Sequence, residues 1–384
     1  MNKMVKRWLT TGLSATLLVF LPGCWDYEAI NTRSAVIGLG IDPAPDDPKK
    51  FEVTIQFPVL GNASASEKGS TPGDTSSYQN LSIEAESLSD AFRNLQRKMD
   101  REVDVAELRA IVVSETLSGE LMDSAVGQLM RIPRINRLSY LLVTPERARE
   151  ILATNVAEKA PMDFVDKSFK VRQQGYVIRR ELWQYWRDTT QVGVLPVIPI
   201  VKTEQTSENA GEDTLAFGGV EVYQNNKSLF SLSQQETFYL NLLTGKVREM
   251  SFDIPIGDST TALTDVRAKS RLRCYKQGTS IILVDHVQVN GSLGKINDPS
   301  PKPMPPTQVT QLESEVSKYL TEELTATVQK LQQSKTDVVG FGRYYLQLHP
   351  EDEQKLKQSW GDMFAHAKLN ITVHVQISSK GVLI

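Results

Sequence analysis

An α+β fold follows from three observations in this 384-residue sequence. Runs with strand-like alternation interleave with runs of helical spacing along the whole chain. Asn225-Asn226 and Gln277-Gly278 each sit between such strand-like runs, the mark of antiparallel hairpins. The length exceeds what one hydrophobic core usually serves, so two or three domains are expected. The expected architecture is a set of mixed or antiparallel β-sheets surrounded by α-helices.

The elements read in order as follows. Ser34–Ile41 is apolar with small residues and reads as a buried strand. Phe51–Phe57 alternates Phe, Val, Ile and Phe with Glu, Thr and Gln, which predicts a half-buried strand. Gly61–Gln79, rich in Ser, Gly and Thr, reads as a surface loop. Ser87–Asp100 and Ser118–Arg131 place Leu, Phe, Ala and Met at helical spacing, and Val105–Ser114 and Leu138–Val143 read as strands between and after them. Thr144-Pro145-Glu146 predicts a helix start, with Thr as cap and Pro in the first turn. Pro196 and Pro199 are expected to close this half, and the polar stretch Thr203–Asp213 to link it to the next.

The second half opens with the hairpin Thr214–Tyr223 and Lys227–Leu232. Ser233-Gln234-Gln235-Glu236 is a capping box, and Gly245 stands where the helix after it should end. Lys246–Phe252, Leu263–Tyr275 and Thr279–Asn290 read as strands. Five prolines between Asp298 and Pro306 stiffen the next connection. Gln308–Gln332 carries one apolar stripe from Val309 to Leu331, which predicts a long helix packed on its own domain's sheet. Pro350–Ala365 reads as a helix and Leu369–Ile377 as a final strand.

The first 25 residues set the compartment. Lys3, Lys6 and Arg7 precede a mostly apolar run from Trp8 to Leu21, which ends in Leu21-Pro22-Gly23-Cys24. These are the parts of a secretory signal, and the run is shorter than the roughly 20 apolar residues of a stable span. Leu-x-Gly-Cys resembles a bacterial lipobox, whose Cys receives a diacylglyceryl group and becomes the first mature residue. Pro22 stands where a small residue is usual. Residues 1–23 are therefore expected to be a lipoprotein signal peptide and Cys24 the lipid attachment point. The competing reading is a plain signal with an incidental Cys. Two acyl chains anchor stably where one does not, so the rest of the chain is expected to be a tethered body outside a membrane.

Composition is that of ordinary globular protein, with 40% apolar and 23% charged residues. A net charge of −3 gives no overall basic field for nucleic acid. Cys24 and Cys274 are the two cysteines, so a lipidated Cys24 leaves Cys274 unpaired. Cys274 lies in the strand-like Arg271–Tyr275 and reads as a buried, inert thiol.

Chemistry-bearing patterns are missing. The four His residues stand apart and give no metal spacing. Gly38-x-Gly40 and Gly340-x-Gly342 lack the third Gly and the helix of a dinucleotide site. No P-loop and no Gly-x-Ser-x-Gly elbow occurs. No catalytic residue, metal ligand or cofactor is therefore expected. Trp183, Tyr185, Trp186 and Arg187, with Arg179-Arg180 nearby, could form a partner surface or one packed amphipathic helix. Asp337–Gly342, with Gly340 and Gly342 flanking Phe341, suits close backbone approach or a tight turn. Trp183, Trp186 and Phe341 are thus the candidate partner-binding residues.

An ordered set of motifs carries a family resemblance. Cys24-Trp25-Asp26, Glu28, Ile30 and Gly38-Leu39-Gly40-Ile41-Asp42 resemble the start of the Ger(x)C family of spore germination proteins. Phe217-Gly218-Gly219-Val220-x-Val222 and Leu240–Lys246 resemble its central block. Asp337-Val338-Val339-Gly340-Phe341-Gly342, Trp360, Phe364 and Gly381 resemble its C-terminal half. Ala29 separates Glu28 from Ile30 where a direct Glu-Ile pair is expected. The resemblance implies a lipid-anchored C subunit of a nutrient germinant receptor, of the GerA, GerB or GerK type. It implies residence on the outer face of the spore inner membrane, with an A and a B subunit as membrane partners. It further implies three domains, expected at 24–200, 214–262 and 263–384. Two other classes compete: a lipoprotein solute-binding protein of a transporter, and an extracytoplasmic hydrolase. The hairpins argue against the doubly wound parallel lobes of the first, and the absent motifs against the second.

Overall fold

The computed structural model describes residues 4, 8, 32–59, 78–156, 160–170, 175–205, 213–256, 259–294 and 304–378. Cys24 and almost all of the expected signal peptide, residues 61–77 of the expected loop, much of the expected linker, the first three of the five prolines and Gly381 lie outside the described residues.

Ten strands precede residue 233 among the described residues: β1 (Arg33–Ala35), β2 (Gly38–Pro43), β3 (Phe51–Pro58), β4 (Tyr78–Ala85), β5 (Glu102–Asp104), β6 (Ala110–Ser114), β7 (Tyr140–Thr144), β8 (Val197–Gln205), β9 (Asp213–Gln224) and β10 (Lys227–Leu232). β1 and β5 form a small parallel pair. The other eight form one mixed sheet in the order β10-β9-β8-β7-β6-β2-β3-β4. Its centre, β2-β6-β7-β8, is parallel, and antiparallel strands flank it on both sides.

Helices cover both faces of this sheet. α1 (Leu88–Gln96) and α2 (Glu120–Leu129) bury Leu88, Leu95, Met122 and Leu129 with Leu39, Ile41, Val53 and Ile55. α3 (Ala148–Ala153) and α4 (Pro161–Lys170) bury Ile151, Met162, Val165 and Phe169 with Ala110, Val112 and Leu142 on the opposite face. β3 is consequently buried on both faces rather than half-buried as its alternation predicts. Its polar face is satisfied from within: Gln56 donates to the Leu152 carbonyl at 2.8 Å and accepts from the Met162 N–H at 3.1 Å.

The predicted helix start at Thr144-Pro145-Glu146 is corrected. Thr144 is the last residue of β7 and its hydroxyl accepts only the Glu146 N–H, a local turn. α3 begins at Ala148, and its cap comes from Asp42, at the end of β2. The Asp42 carboxylate accepts the Ala148 N–H at 2.7 Å and the Arg149 N–H at 3.0 Å. Pro196 and Pro199 do not close the first half either: Pro199 lies inside β8, next to a register shift between Pro199 and Val201. A bulge is where a sheet tolerates a residue without an N–H.

The second half carries a four-stranded sheet in the order β11-β12-β13-β14, made of β11 (Met250–Ile256), β12 (Ser259–Gln277), β13 (Ser280–Leu293) and β14 (Lys368–Ser378). β13 and β14 pair in parallel and the other two pairs are antiparallel. α5 (Leu182–Thr190) still belongs to the first half, with Leu182 and Tyr185 in the core of the large sheet. Four helices accompany the second sheet: α6 (Gln234–Leu243) precedes it in sequence, while α7 (Pro306–Gln333), α8 (Phe341–Leu348) and α9 (Glu353–Ala365) connect β13 to β14. The capping box at Ser233 and Glu236 forms in both directions. The long stripe of α7 packs on its own sheet, as predicted, and its polar residues close the sheet edge. Thr321, Ser317 and Glu313 accept the N–H groups of Val373, Val375 and Ile377 on β14.

The span 214–262, expected as a middle domain, has no sheet of its own. β9 and β10 extend the large sheet through the β8–β9 ladder, while β11 joins the second sheet. α6 between them is buried from Thr237 to Leu243, in a core shared with Val220, Val222, Leu263, Leu331 and Phe341. Apolar burial on all sides makes this helix the joint between the two halves.

Candidate functional site

The chain that follows Trp183–Arg187 meets the Asp337–Gly342 segment and the start of α8. The turn after α5 runs against the Asp337–Arg343 segment that opens α8. Leu195 donates its N–H to the Asp337 carbonyl at 2.7 Å, and Arg343 donates its N–H to the Gly193 carbonyl at 2.8 Å. The approach is so close that a Cβ on Gly342 would lie 2.6 Å from the Gly193 Cα and 2.4 Å from the Trp360 ring. Gly193 has φ +84°, so both the crowding and the backbone favour glycine there.

Asp337 organises the loop. One carboxylate oxygen accepts the Gly340 N–H at 2.7 Å; the other accepts the Gly342 N–H at 2.8 Å and the Trp360 indole N–H at 3.0 Å. Burial pushes its pKa above the ordinary carboxylate value, and these hydrogen bonds oppose that push. Gly340, at φ +94°, turns the chain into α8.

Phe341 is fully buried, with its ring 6.4 Å from that of Phe364 in the shared core. It is therefore a core residue, which corrects its candidacy as a partner contact. The turn at Gly340 sends the ring inward, so the two glycines serve packing inside the chain.

Beside this loop lies a charged cluster that the sequence only hinted at through Arg179-Arg180. Asp188, 3% exposed, accepts from Arg180 at 2.7 Å, from Arg187 at 2.7 and 2.8 Å, and from Arg343 of α8 at 3.4 Å. Arg180 is itself buried and also donates to the Val197 carbonyl at 3.0 Å. Burial pulls the Arg180 guanidinium below its ordinary value, and Asp188 pulls it back. The cluster ties α5 of the first half to α8 of the second.

The aromatic stretch divides by burial. Tyr185 is buried and donates to the Asn226 side chain at 2.9 Å. Trp183 is half-buried, bonded to Glu181, with the Arg187 guanidinium 5.1 Å from its ring centroid. Trp186 is 42% exposed, a large ring on the surface. The structure thus brings Trp183 and Trp186 together on α5 and separates Phe341 from them.

Cys274 is buried and burial pushes its thiol up to about 12, so almost no thiolate forms at neutral pH. Among the described residues no group of three or more His, Cys, Asp or Glu is placed to hold a metal ion. A shallow cleft of about 540 Å³ lies beside Glu52, Asn80, Ser82 and Arg149. Several of its polar groups are already engaged: Glu52 accepts from Arg147 and Arg149, Asn80 bonds Gln56 and the Leu152 carbonyl, and Ser82 bonds Thr54.

These features define a multi-domain α+β protein whose marked motifs build its scaffold. The comparisons agree with that class and name it. Residues 26–203 match the family described as spore germination protein N-terminal domain. Residues 218–381 match the family described as spore germination B3/GerAC like, C-terminal. The chain belongs to this Ger(x)C family, and its role is germination-related. Spore germination protein KC of Bacillus subtilis (strain 168) is 24% identical, across 93% of this chain and 91% of its own. Spore germination protein B3 of the same organism is 22% identical across 96% of each chain. The crystal structure of the GerBC protein aligns with 92% of this chain and 99% of its own, at 18% identity and a TM-score of 0.55, a likeness of fold.

Proposed function

We propose that this chain is a non-catalytic, lipid-anchored subunit of a nutrient germinant receptor, held at Cys24 on the outer face of the spore inner membrane. The observation that carries this reading is the pairing of a lipobox-like Leu21–Cys24 with a family match across nearly all the rest of the chain. No described helix is long and apolar enough to cross a membrane, which is compatible with attachment by lipid. The polar groups of the family-like motifs are engaged in capping and packing, which supports action by contact rather than by turnover. The contacts are assigned to the membrane-embedded A and B subunits, with Trp183 and Trp186 on α5 as the contact residues. A tether raises local concentration, so each contact can be individually weak.

Cys24→Ala is expected to abolish incorporation of labelled palmitate and to cripple nutrient-triggered germination while the body still folds. Equal labelling of the variant would remove the anchor assignment. Trp186→Ala, read by co-purification with the A and B subunits, separates the contact role from the anchor.

A further inference from the structure

The outer face of the second sheet carries a charge pattern that the anchor and the family motifs do not explain. On β12, Arg267, Lys269, Arg271 and Arg273 occupy alternate positions, and all four are exposed. Alternation in a strand puts them on one face, spread over about 20 Å at roughly 3.3 Å per residue. The inward residues between them, Ala268, Ser270, Leu272 and Cys274, are buried or half-buried. Across the ladder the outward partners are Asn290, Gln288, His286 and Val284 on β13, then Gln376, His374, Thr372 and Asn370 on β14. None of these is acidic. Arg267 pairs with Glu249 at 2.9 Å, but Lys269, Arg271 and Arg273 make no ion pair among the described residues. At the hairpin end of the same face stand Tyr275, 43% exposed, with Ile282 and Lys368 opposite it in register.

We propose that this sheet face is a docking surface for anionic phospholipid headgroups, with Lys269, Arg271 and Arg273 as its charges and Tyr275 as an interfacial ring. The inference rests on the membrane-tethered reading above. The surface acids of this sheet, Glu249, Asp253 and Asp265, gather toward the Arg267 end. The chain as a whole is net negative, at −3, so the stretch of Lys269, Arg271 and Arg273 with no acid opposite them on β13 or β14 is a local reversal. A flat row of separated cations complements an array of headgroups, where a single small anion would need them convergent. An amphipathic ring beside the row suits the boundary between headgroup and acyl chain. A tethered body with such a face lies down on an anionic leaflet in one orientation, which fixes the surface left to its partners.

The test is co-sedimentation of the full-length chain carrying Cys24→Ala with two kinds of vesicle. One mixes phosphatidylglycerol with phosphatidylcholine; the other is phosphatidylcholine alone. The N-terminal segment, with its Lys3, Lys6 and Arg7, favours anionic vesicles by itself but is the same in every variant, so the differences between variants report the sheet face. Binding is expected to favour the anionic vesicles and to weaken with salt. Lys269→Gln/Arg271→Gln/Arg273→Gln is expected to lower it by about a hundredfold, at about fivefold per neutralised cation. A second variant, Gln288→Glu/Gln376→Glu, keeps every cation but adds opposing charge, and is expected to shift binding the same way. Equal anionic-vesicle binding by the parent and either folded variant would overturn the proposal. Binding to immobilised polyglutamate without binding to anionic vesicles would assign the face to an acidic protein partner and overturn it too. Self-association of the triple variant with vesicle binding unchanged would show that the cations only guard the sheet against pairing with a second copy, and would overturn the proposal. None of these outcomes alters the palmitate result at Cys24, so the two readings fail separately.

Discussion

Asp42 and Asp337 make an instructive pair. Each lies in a motif shared with the Ger(x)C resemblance, each is buried, and each turns its carboxylate toward N–H groups at the start of a helix. Asp42 reaches from the end of β2 to α3, more than a hundred residues away in sequence. Asp337 acts three and five residues ahead, on Gly340 and Gly342, and adds the Trp360 indole. Asp42 fastens one helix to one sheet inside the first half. Asp337 shapes the loop on which Leu195 and Gly193 of the first half also bond, so it serves the seam between halves. Similar chemistry is used at one place for packing within a layer and at the other for joining two sheets.

The pair can be broken unequally. Asp337→Ala removes three hydrogen bonds to buried donors at the seam, and is expected to cost about 3 kcal/mol or more. A denaturant melt measures the loss, and loosening of the seam should appear as a second transition. Asp42→Ala removes a cap on a short helix and is expected to cost about 2 kcal/mol, the upper end for a cap because the site is buried. Its melt should stay a single transition. If Asp42→Ala split the melt and Asp337→Ala did not, the assignment of the seam to Asp337 would be wrong.

A third buried aspartate sharpens the contrast, because it caps nothing. Asp285 on β13 accepts from Ser270 at 2.7 Å with one oxygen, and its other oxygen has no partner among the described residues. Burial pushes its pKa up to about 7, against the Ser270 hydrogen bond and one from the Arg271 backbone. The folded state therefore keeps a proton that the unfolded chain has released. Stability from this group is full below about pH 4 and is lost as pH rises through about 7. Asp285→Asn is expected to flatten that dependence, by on the order of 2 kcal/mol between pH 5 and pH 8. Thermal melts across that range check it; an unchanged slope would mean that another group sets it.

Local signals made much of the second half legible. The Asn225-Asn226 turn has both residues at positive φ, as a tight hairpin requires, and the Ser233 box and the α7 stripe form as read. What stayed hidden depends on residues distant in sequence. β8 was obscured by Pro199, which only the bulge explains. The polar face of β3 reads as solvated until α3 and α4 cover it. The Thr144 start looked complete in itself, and nothing nearby in sequence points to Asp42. At the candidate site, the Trp183–Arg187 and Asp337–Gly342 segments were visible as unusual. The contact between their neighbours was not, because Asp188 joins α5 to Arg343 across more than 150 residues.

The central claim is that the Asp337 segment serves germination by holding the two halves together. The direct measurement is nutrient-triggered germination of spores carrying Asp337→Asn, read together with the amount of folded subunit in the spore membrane fraction. The claim predicts that germination falls in proportion to folded subunit, and recovers when a lower sporulation temperature restores that amount. A variant present at the parental level, with an unchanged melt and no germination, would contradict it and give Asp337 a functional role of its own.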